Sequence, residues 1–434
     1  MLSFLYLALF VALPFSQAKL HRSKRSTCKL PSSTSSSNPQ PTSTQSSGSR
    51  VAAAWYAGYH SSDFPLSSVS WNKYTHLTYS FALTTGDTSQ LEFDSSDATL
   101  LPQFVKAAHS NNVKALVSVG GWGGSHFYSA NVGSAANRTT FVKTLTDFAS
   151  KYDIDGIDFD WEYPNAQGIG CNVLSPDDTT NFLSFLQELR QDPVGKKLIL
   201  TAATSVLPWQ GPNGSPLTDV SGFAKTLDWI EIMNYDVWGS WSDAVGPNAP
   251  LADACAPTQD GSATSAVAAW TAAGMPANQI VLGVPAYGHS FYVTKTAALS
   301  SSNAHTLNAY PAFDESKQPA GDKWDDAQGS PDGCGGTLAA PGGDITFWGL
   351  VDAGYLTSNG TAAPGIDYRF DACSQTPYVY NESTDVMVSF DDARSFAAKG
   401  QFIKSQKLLG FSMWEAGGDH NDILLDSIRG AVGF

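Results

Sequence analysis

Asp155-Gly156-Ile157-Asp158-Phe159-Asp160-Trp161-Glu162-Tyr163-Pro164 is the stretch on which the fold turns. Asp155 and Gly156 open it, Pro164 closes it, and acidic and apolar residues alternate between. On a β-strand successive side chains point to opposite faces, so Asp158, Asp160 and Glu162 share one face while Ile157, Phe159 and Trp161 share the other. A row of acids on a strand usually faces water. Here the opposite face is strongly apolar and the neighbouring candidate strands are core-like, which argues against that fate. The acids are expected to point into a closed barrel, with the apolar face packed on surrounding helices and Glu162 last, at the C-terminal rim. Acids spaced about 6.5–7 Å apart in a low-dielectric interior cannot all ionise cheaply. At least one should hold a proton near neutral pH, and that proton can be passed to Glu162, which makes Glu162 a general acid. A Ca²⁺ or Mg²⁺ cluster is the rival reading of three acids. It would need carbonyl-rich loops that the run lacks, so no metal and no cofactor is expected.

Outward from this run, short apolar segments alternate with longer helical patterns from Val51 onward, the rhythm of βα units. The strand candidates are Ala53–Gly58, His76–Phe81, Lys114–Val119, Gly156–Glu162, Leu198–Ala203, Trp229–Tyr235, Ile280–Pro285 and Leu408–Met413. Helical patterns cover Leu101–Ser110, Thr139–Lys151, Thr179–Arg190, Val220–Leu227, Ser262–Ala273 and Asp422–Val432. Eight such units predict an α/β fold, a (β/α)8 TIM barrel. A doubly wound open sheet is the alternative, but no G-x-G-x-x-G follows the first strand. About 120 residues separate the seventh strand from the eighth. Within them Val293-Thr294, Phe347–Leu350, Tyr378–Tyr380 and Met387–Phe390 read as strands, followed by a helix from Asp392 to Lys399. A small α+β insertion between strands 7 and 8 is therefore expected over residues 290–395, with the barrel made of residues 51–289 and 396–434. Standing on the rim, it would deepen any groove there.

The ends and the composition set the context. Leu2 to Pro14 is apolar and precedes the small-residue sequence ending at Ala18, so residues 1–18 read as a signal peptide. Lys24-Arg25 is a dibasic processing site, and Pro31–Ser49 is almost wholly Ser, Thr, Pro, Gln and Asn. Residues 19–50 are read as a processed, disordered arm suited to O-glycosylation. Sequons at Asn137, Asn213, Asn359 and Asn381 agree with a secreted, extracellular protein. With 25 Lys+Arg against 40 Asp+Glu in 434 residues, the net charge is −15, and the basic residues form no stripe that could track phosphates. Neither nucleic acid nor membrane is expected as a partner. Twelve Trp and 16 Tyr in so acidic a chain suit a neutral, hydroxyl-covered ligand. Of the five cysteines, Cys28 in the arm is the orphan. Cys171, Cys255, Cys334 and Cys373 can pair in three ways, of which Cys334 with Cys373 is preferred.

The run Asp155–Glu162 fits the D-x-x-D-x-D-x-E pattern of family 18 glycoside hydrolases, the chitinases and their relatives. Ser118-Val119-Gly120-Gly121-Trp122 resembles the family's S-x-G-G segment, Met233-Asn234-Tyr235-Asp236 its M-x-Y-D, and Trp414 its terminal tryptophan. Tyr163–Phe185 and Val388–Asp392 also look like it, so the resemblance covers residues 51–434 and is strongest to secreted fungal enzymes. It implies a monomeric chitinase acting on chitin and chitooligosaccharides, retaining, with the substrate's own N-acetyl oxygen as nucleophile. In that mechanism Glu162 is the acid and later the base, Asp160 orients the acetamide, and Asp158 and Asp155 tune the charge behind it. Tyr235 would donate to the acetamide oxygen and Asp236 would bind the distorted sugar, with Met233 in the same segment. Trp414 would be the floor of the central sugar site. The resemblance further implies non-proline cis peptides at Ser80-Phe81, Glu162-Tyr163 and Trp414-Glu415, which places Phe81 in the groove.

An indole stacks on the apolar face of a sugar, so Trp122 and Trp414 are candidate platforms, with core packing as the competing reading of each. Tyr59, Trp238 and Trp241 lie on the same rim as candidates for outer subsites. Gly120 and Gly121 are read as structural, ending a strand where a side chain would strike the acid cluster. One departure stands out: many relatives continue the seventh strand with Tyr-Gly-Arg, and here it is Tyr287-Gly288-His289. Tyr287 remains a groove candidate; His289 either binds sugar or is a satisfied structural histidine. Two other functions stay on the same fold, a chitin-binding lectin and an endo-N-acetylglucosaminidase. Lectin relatives typically lose the acid, which this chain keeps.

Overall fold

The computed structural model describes residues 50–300 and 303–434. The expected signal peptide, Cys28 and the arm as far as Ser49 lie outside the described residues. In chain order the first seven principal strands are β1 (Val51–Ala57), β2 (His76–Thr84), β3 (Lys114–Gly120), β4 (Gly156–Asp160), β5 (Ile199–Thr204), β6 (Trp229–Ile232) and β7 (Ile280–Pro285). Five more make the main sheet of the insertion: β8 (Tyr287–Tyr292), β9 (Asp344–Thr346), β10 (Asp367–Asp371), β11 (Thr376–Asn381) and β12 (Val386–Ser389). The last is β13 (Gly410–Trp414). Every neighbour in the ring β1-β2-β3-β4-β5-β6-β7-β13 pairs in parallel, and β1 pairs with both β2 and β13, which closes the barrel. All eight expected strands are present. The fourth ends at Asp160 and the sixth at Ile232, so Glu162 and Tyr235 stand just beyond their strands, on the rim.

Helices α1 (Asp97–Ser110), α2 (Ala135–Tyr152), α3 (Asp178–Gln191), α4 (Ser221–Ala224) and α5 (Ala263–Ala272) jacket the ring. Their ends follow local chemistry. Ser134 caps α2 by accepting from the Asn137 N–H, and Asp153 ends it in the left-handed region at φ 55°. Ser262 forms a capping box with Ser265 at the start of α5. The apolar face of β4 packs as the alternation requires. Phe159 meets Phe182 and Phe185 of α3, and Trp161 stacks on Tyr128 at 4.9 Å. The segment expected as helix over Val220–Leu227 forms only the single turn α4.

The insertion is a five-stranded antiparallel sheet in the order β9-β8-β12-β11-β10, with α6 (Phe347–Asp352) beside it and α7 (Ala393–Gln406) leading back to the barrel. Two expected strands are corrected. Phe347–Leu350 lies in a helix, because the Thr346 hydroxyl caps it by accepting from the Gly349 N–H. Val293-Thr294 falls just past the strand, which is β8. The chain closes with α8 (Ile423–Val432), packed on α7. The cysteine pairing differs too: Cys171 bonds Cys334 and Cys255 bonds Cys373. Both bridges tie the insertion to barrel loops, contacts that depend on which loops meet above the rim and not on spacing in the chain. No helix among the described residues is long and apolar enough to cross a membrane.

Where α7 meets the insertion, Lys399 and Asp391 form an ion pair with both side chains fully buried. Burial drives the Asp391 carboxyl up, to about 6, and the Lys399 amine down, each opposed by its partner's charge. One Asp391 oxygen has no further partner. Removing one member leaves an uncompensated charge in the core. Lys399→Met should therefore cost about 3–5 kcal/mol, read as a lower urea midpoint. Lys399→Met with Asp391→Leu should recover most of the loss.

Candidate active site

The barrel's interior polar residues form a column under the C-terminal mouth. Asp158 is lowest, fully buried, and accepts from Thr201 Oγ1 at 2.7 Å, Ser118 Oγ at 2.8 Å and Trp55 Nε1 at 3.1 Å. Those donors come from β5, β3 and β1, so four strands agree on one carboxylate. Asp160 stands above it, 4% exposed, with Oδ1 lacking any hydrogen-bond partner. Glu162 follows on the rim. Its N–H donates to Ser125 Oγ at 3.0 Å, and its carbonyl accepts from Asn172 Nδ2 at 2.7 Å, so its backbone is held on both sides.

Charge crowding orders these groups. Burial, then the negative charges of Glu162, Asp158 and Glu231, push the Asp160 carboxyl well above its ordinary range. Burial raises Asp158 as well, against its three donors. Burial and the nearby Asp236 raise Glu162 to about 7, with Tyr163 opposing. Glu162 is thus a carboxyl that holds its proton near neutrality and can still release it. Glu231 is a fourth buried acid, on β6, raised to about 8 by burial and Asp158. It was missed in the sequence, although Trp229-Ile230-Glu231-Ile232 carries the same acid-between-apolar alternation.

Above the column opens a cavity of about 710 Å³. Asp160, Glu162, Met233, Tyr235 and Asp236 line one part of it; Tyr59, Phe81, Trp122 and Trp414 line the rest. Trp414 lies between Phe81, stacked at 5.6 Å, and Trp55, edge-on at 5.9 Å, a tryptophan fixed by aromatic neighbours yet facing the cavity. Trp122 is 52% exposed, which rejects core packing as its role. Cis peptide bonds occur at Ser80-Phe81, Glu162-Tyr163 and Trp414-Glu415. Gly120 has φ 104°, and a Cβ there would lie 2.2 Å from the Asp160 carbonyl oxygen; at Gly121 it would meet the Phe81 ring. Burial and the surrounding acids keep the Tyr235 phenol well above its ordinary value, so it stays a donor.

Two expected residues are elsewhere. Asp155 precedes β4 and lies at the opposite end of the barrel, accepting from Lys114 Nζ at 2.6 Å and the Ala115 N–H at 2.9 Å, with His109 at 2.8 Å. It staples β3 to β4 and does not reach the groove. Trp238 is 2% exposed against Tyr310, a core residue and not an outer subsite. Trp241, by contrast, is 61% exposed.

Tyr287 and His289 converge on Asp236. The Tyr287 hydroxyl donates to Asp236 Oδ1 at 2.7 Å, and His289 Nε2 lies 2.9 Å from the same oxygen. His289 Nδ1 meets Asp344 at 2.7 Å. A neutral imidazole can donate from only one nitrogen, so an acid on each favours the imidazolium. Burial opposes that charge, but the two carboxylates win and raise His289 to about 10. It is a structural cation in the place of the relatives' arginine, and the Asp344 half of the clamp was invisible in the sequence.

The comparisons agree with this geometry. A family model described as glycosyl hydrolases family 18 matches residues 52–419. A "chitinase-like effector" of Moniliophthora roreri is 54% identical, over 89% of this chain and 94% of its own length. "Chitinase A1" of Niallia circulans is 32% identical over 79% of this chain and 46% of its own. The crystal structure of a Rhizomucor miehei chitinase superposes with a TM-score of 0.77 at 33% identity, covering 88% of this chain and 99% of that one.

A cation held this way should be visible. The folded pKa of His289 lies above the unfolded value, so its stabilisation is complete below about pH 6.5 and is lost as pH rises through about 10. Ring ¹⁵N shifts should report imidazolium at pH 8. His289→Gln should lower stability at pH 6 by about 2 kcal/mol and flatten its decline above pH 7.

Proposed function

The chain belongs to family 18 of the glycosyl hydrolases, and on that basis we propose that it is a secreted chitinase, cleaving β-1,4 bonds between N-acetylglucosamine units with retention. The observation that carries the reading is the stacked column Asp158–Asp160–Glu162 ending on a tryptophan-floored cavity.

Each residue has a part set by its surroundings. The central sugar rests on Trp414, with the next unit on Trp122, since an indole covers a sugar's apolar face. Glu162 gives its proton to the glycosidic oxygen while the acetamide carbonyl oxygen of the same sugar attacks C1. The C1–O bond breaks, the leaving chain carries off the proton, and an oxazolinium ring remains. Asp160 accepts the acetamide N–H on the oxygen that has no partner in the free protein. That hydrogen bond favours its carboxylate form, and the proton it held moves to Asp158, so a negative charge faces the growing positive ring. Tyr235 donates to the acetamide oxygen as it turns nucleophilic. Water then attacks C1, giving its proton to Glu162 and reopening the ring. Two inversions at one carbon leave the β configuration unchanged.

A chitin binder without turnover is the second reading, favoured by the name of the Moniliophthora relatives, chitinase-like effectors. Against it, Glu162, Asp160 and Tyr235 all line the cavity. Hydrolysis of chitotetraose separates the two. Wild type should turn it over with the β-anomer first, and Glu162→Gln should lose about 10³-fold or more in kcat while still binding. A wild type that binds without cleaving would establish the binder instead.

The pH profile gives a further test. Glu162 must be protonated for the first step, so kcat/KM should fall as pH rises through about 7. Asp236 is one of the charges that raise this carboxyl, and Asp236→Asn should move the alkaline limb to lower pH.

A further inference from the structure

Between Asp322 and Asp344 the insertion sends out a β-hairpin that the proposed reaction does not use. Its arms pair through the Gly329 N–H to Leu338 O at 3.0 Å, the Leu338 N–H to Ser330 O at 2.9 Å, and a bridge between Pro331 and Thr337. Asp332 shapes the tip by accepting from the N–H groups of Cys334 and Gly336, each at 2.8 Å. The base is fixed. Asp325 accepts from the N–H groups of Gly321, Gly343 and Asp344, and Trp324 stacks on His60 at 3.9 Å while donating to Asp63 at 2.8 Å. His60 and Asp63 belong to the turn after β1, and Trp324 also lies against Gly417, just after β13.

The tip is fastened on the far side. Cys334 is bonded to Cys171, in the loop that follows Glu162. That loop is itself anchored, by Asn172 on the Glu162 carbonyl and by the Val173 N–H on His126 O. In the ring of eight, β4 stands three strands from β1 and four from β13, directly opposite the latter. Strands about 4.8 Å apart and tilted about 36° make a ring about 15 Å across. The nine residues from Asp326 to Cys334, eight steps of chain, reach up to about 26 Å, enough to cross it.

Resting on the chitinase reading of the groove, we infer that this hairpin is a bar fastened across the active-site mouth, and that the Cys171–Cys334 bond makes the protein select chains that enter by an end over internal stretches of a long polymer. The bond matters because little else holds the tip. Most side chains between Ala327 and Ala340 are exposed, and a two-stranded hairpin with no apolar face is marginal by itself. Freed from Cys171, the arm would swing on its base and admit a chain from above.

The readout is entry, measured apart from turnover. Association of glycol chitin and of chitotetraose is followed by tryptophan fluorescence in full-length Glu162→Gln protein, with and without Cys171→Ser plus Cys334→Ser. A second form lacks residues 329–338, joining Gln328 to Ala339, whose side-chain-to-carbonyl hydrogen bond already brings them together. The association rate for glycol chitin should rise several-fold in both forms while that for chitotetraose holds. Rates for the polymer that match the intact protein in both forms would overturn the inference, whatever wild type does with chitotetraose. If neither ligand binds any form, the inference falls together with the reading of the groove. Chitotetraose that is bound by wild type but never cleaved would remove the catalytic reading and leave the bar standing.

Discussion

Four acids share one low-dielectric cylinder, and the rest of the site is arranged around the shortage of protons and donors there. Asp158 absorbs three donors from three strands, which leaves Asp160 above it with none for one of its oxygens. A buried carboxyl without partners keeps a proton, and so does Glu231 across the barrel. The barrel supplies the confinement: in an open sheet the same alternation would face water and every acid would simply ionise. Glu162 escapes the interior by standing two residues beyond the end of β4, on the rim of the cavity it lines with Asp160, while still feeling the charge of Asp236.

What the sequence made legible was whatever a period of two encodes. The faces of β4, the eight strands and the column of acids follow from alternation, and Trp122, Trp414, Tyr235 and Asp236 follow from the matching segments. Alternation says which face a residue takes but not how far along the barrel it sits. Asp155 shows the cost of that: three residues before Asp158, it belongs to the bottom of the barrel and pairs with Lys114. Trp238 shows another, since a rim tryptophan can turn inward when a loop such as Gly246 folds over it. Cysteine partners and the Asp344 contact depend on how the insertion leans on the rim, and local pattern carries no trace of that. Phe347–Leu350 reads as a strand because four apolar residues are too few to show a helical period; the cap at Thr346 decides it.

The insertion does more than raise a wall. Its strand β8 runs directly on from β7 with only Ala286 between, so the barrel's seventh strand delivers Tyr287 and His289 to the groove edge as part of another sheet. β9 then pairs with β8 so that Asp344 stands opposite His289 in register. A cation on β8 is thereby supplied with one acid from its own sheet and one from the barrel rim, and the ion pair spans the junction between the two parts.

Asp236 is where these constraints meet. Its backbone lies in the left-handed region at φ 54°, a conformation aspartate tolerates better than most residues, and its N–H donates to Asn248 Oδ1 at 2.7 Å. Asn248 in turn donates to the Tyr287 carbonyl, and Tyr287 returns its hydroxyl to Asp236. The loop of bonds fixes the Asp236 backbone, and Tyr287 and His289 meet one carboxylate oxygen from two sides. An arginine fork could grip both Asp236 and Asp344 with donors to spare. Histidine has two, and both are spent, so the imidazolium holds its place only while both acids are there. Substituting His for Arg keeps the positive charge beside Asp236 but makes it depend on its neighbours. The same Asp236 charge lifts Glu162. The clamp and the proton donor are therefore linked through a single carboxylate, and a change at the edge of the insertion can reach the acid without touching it.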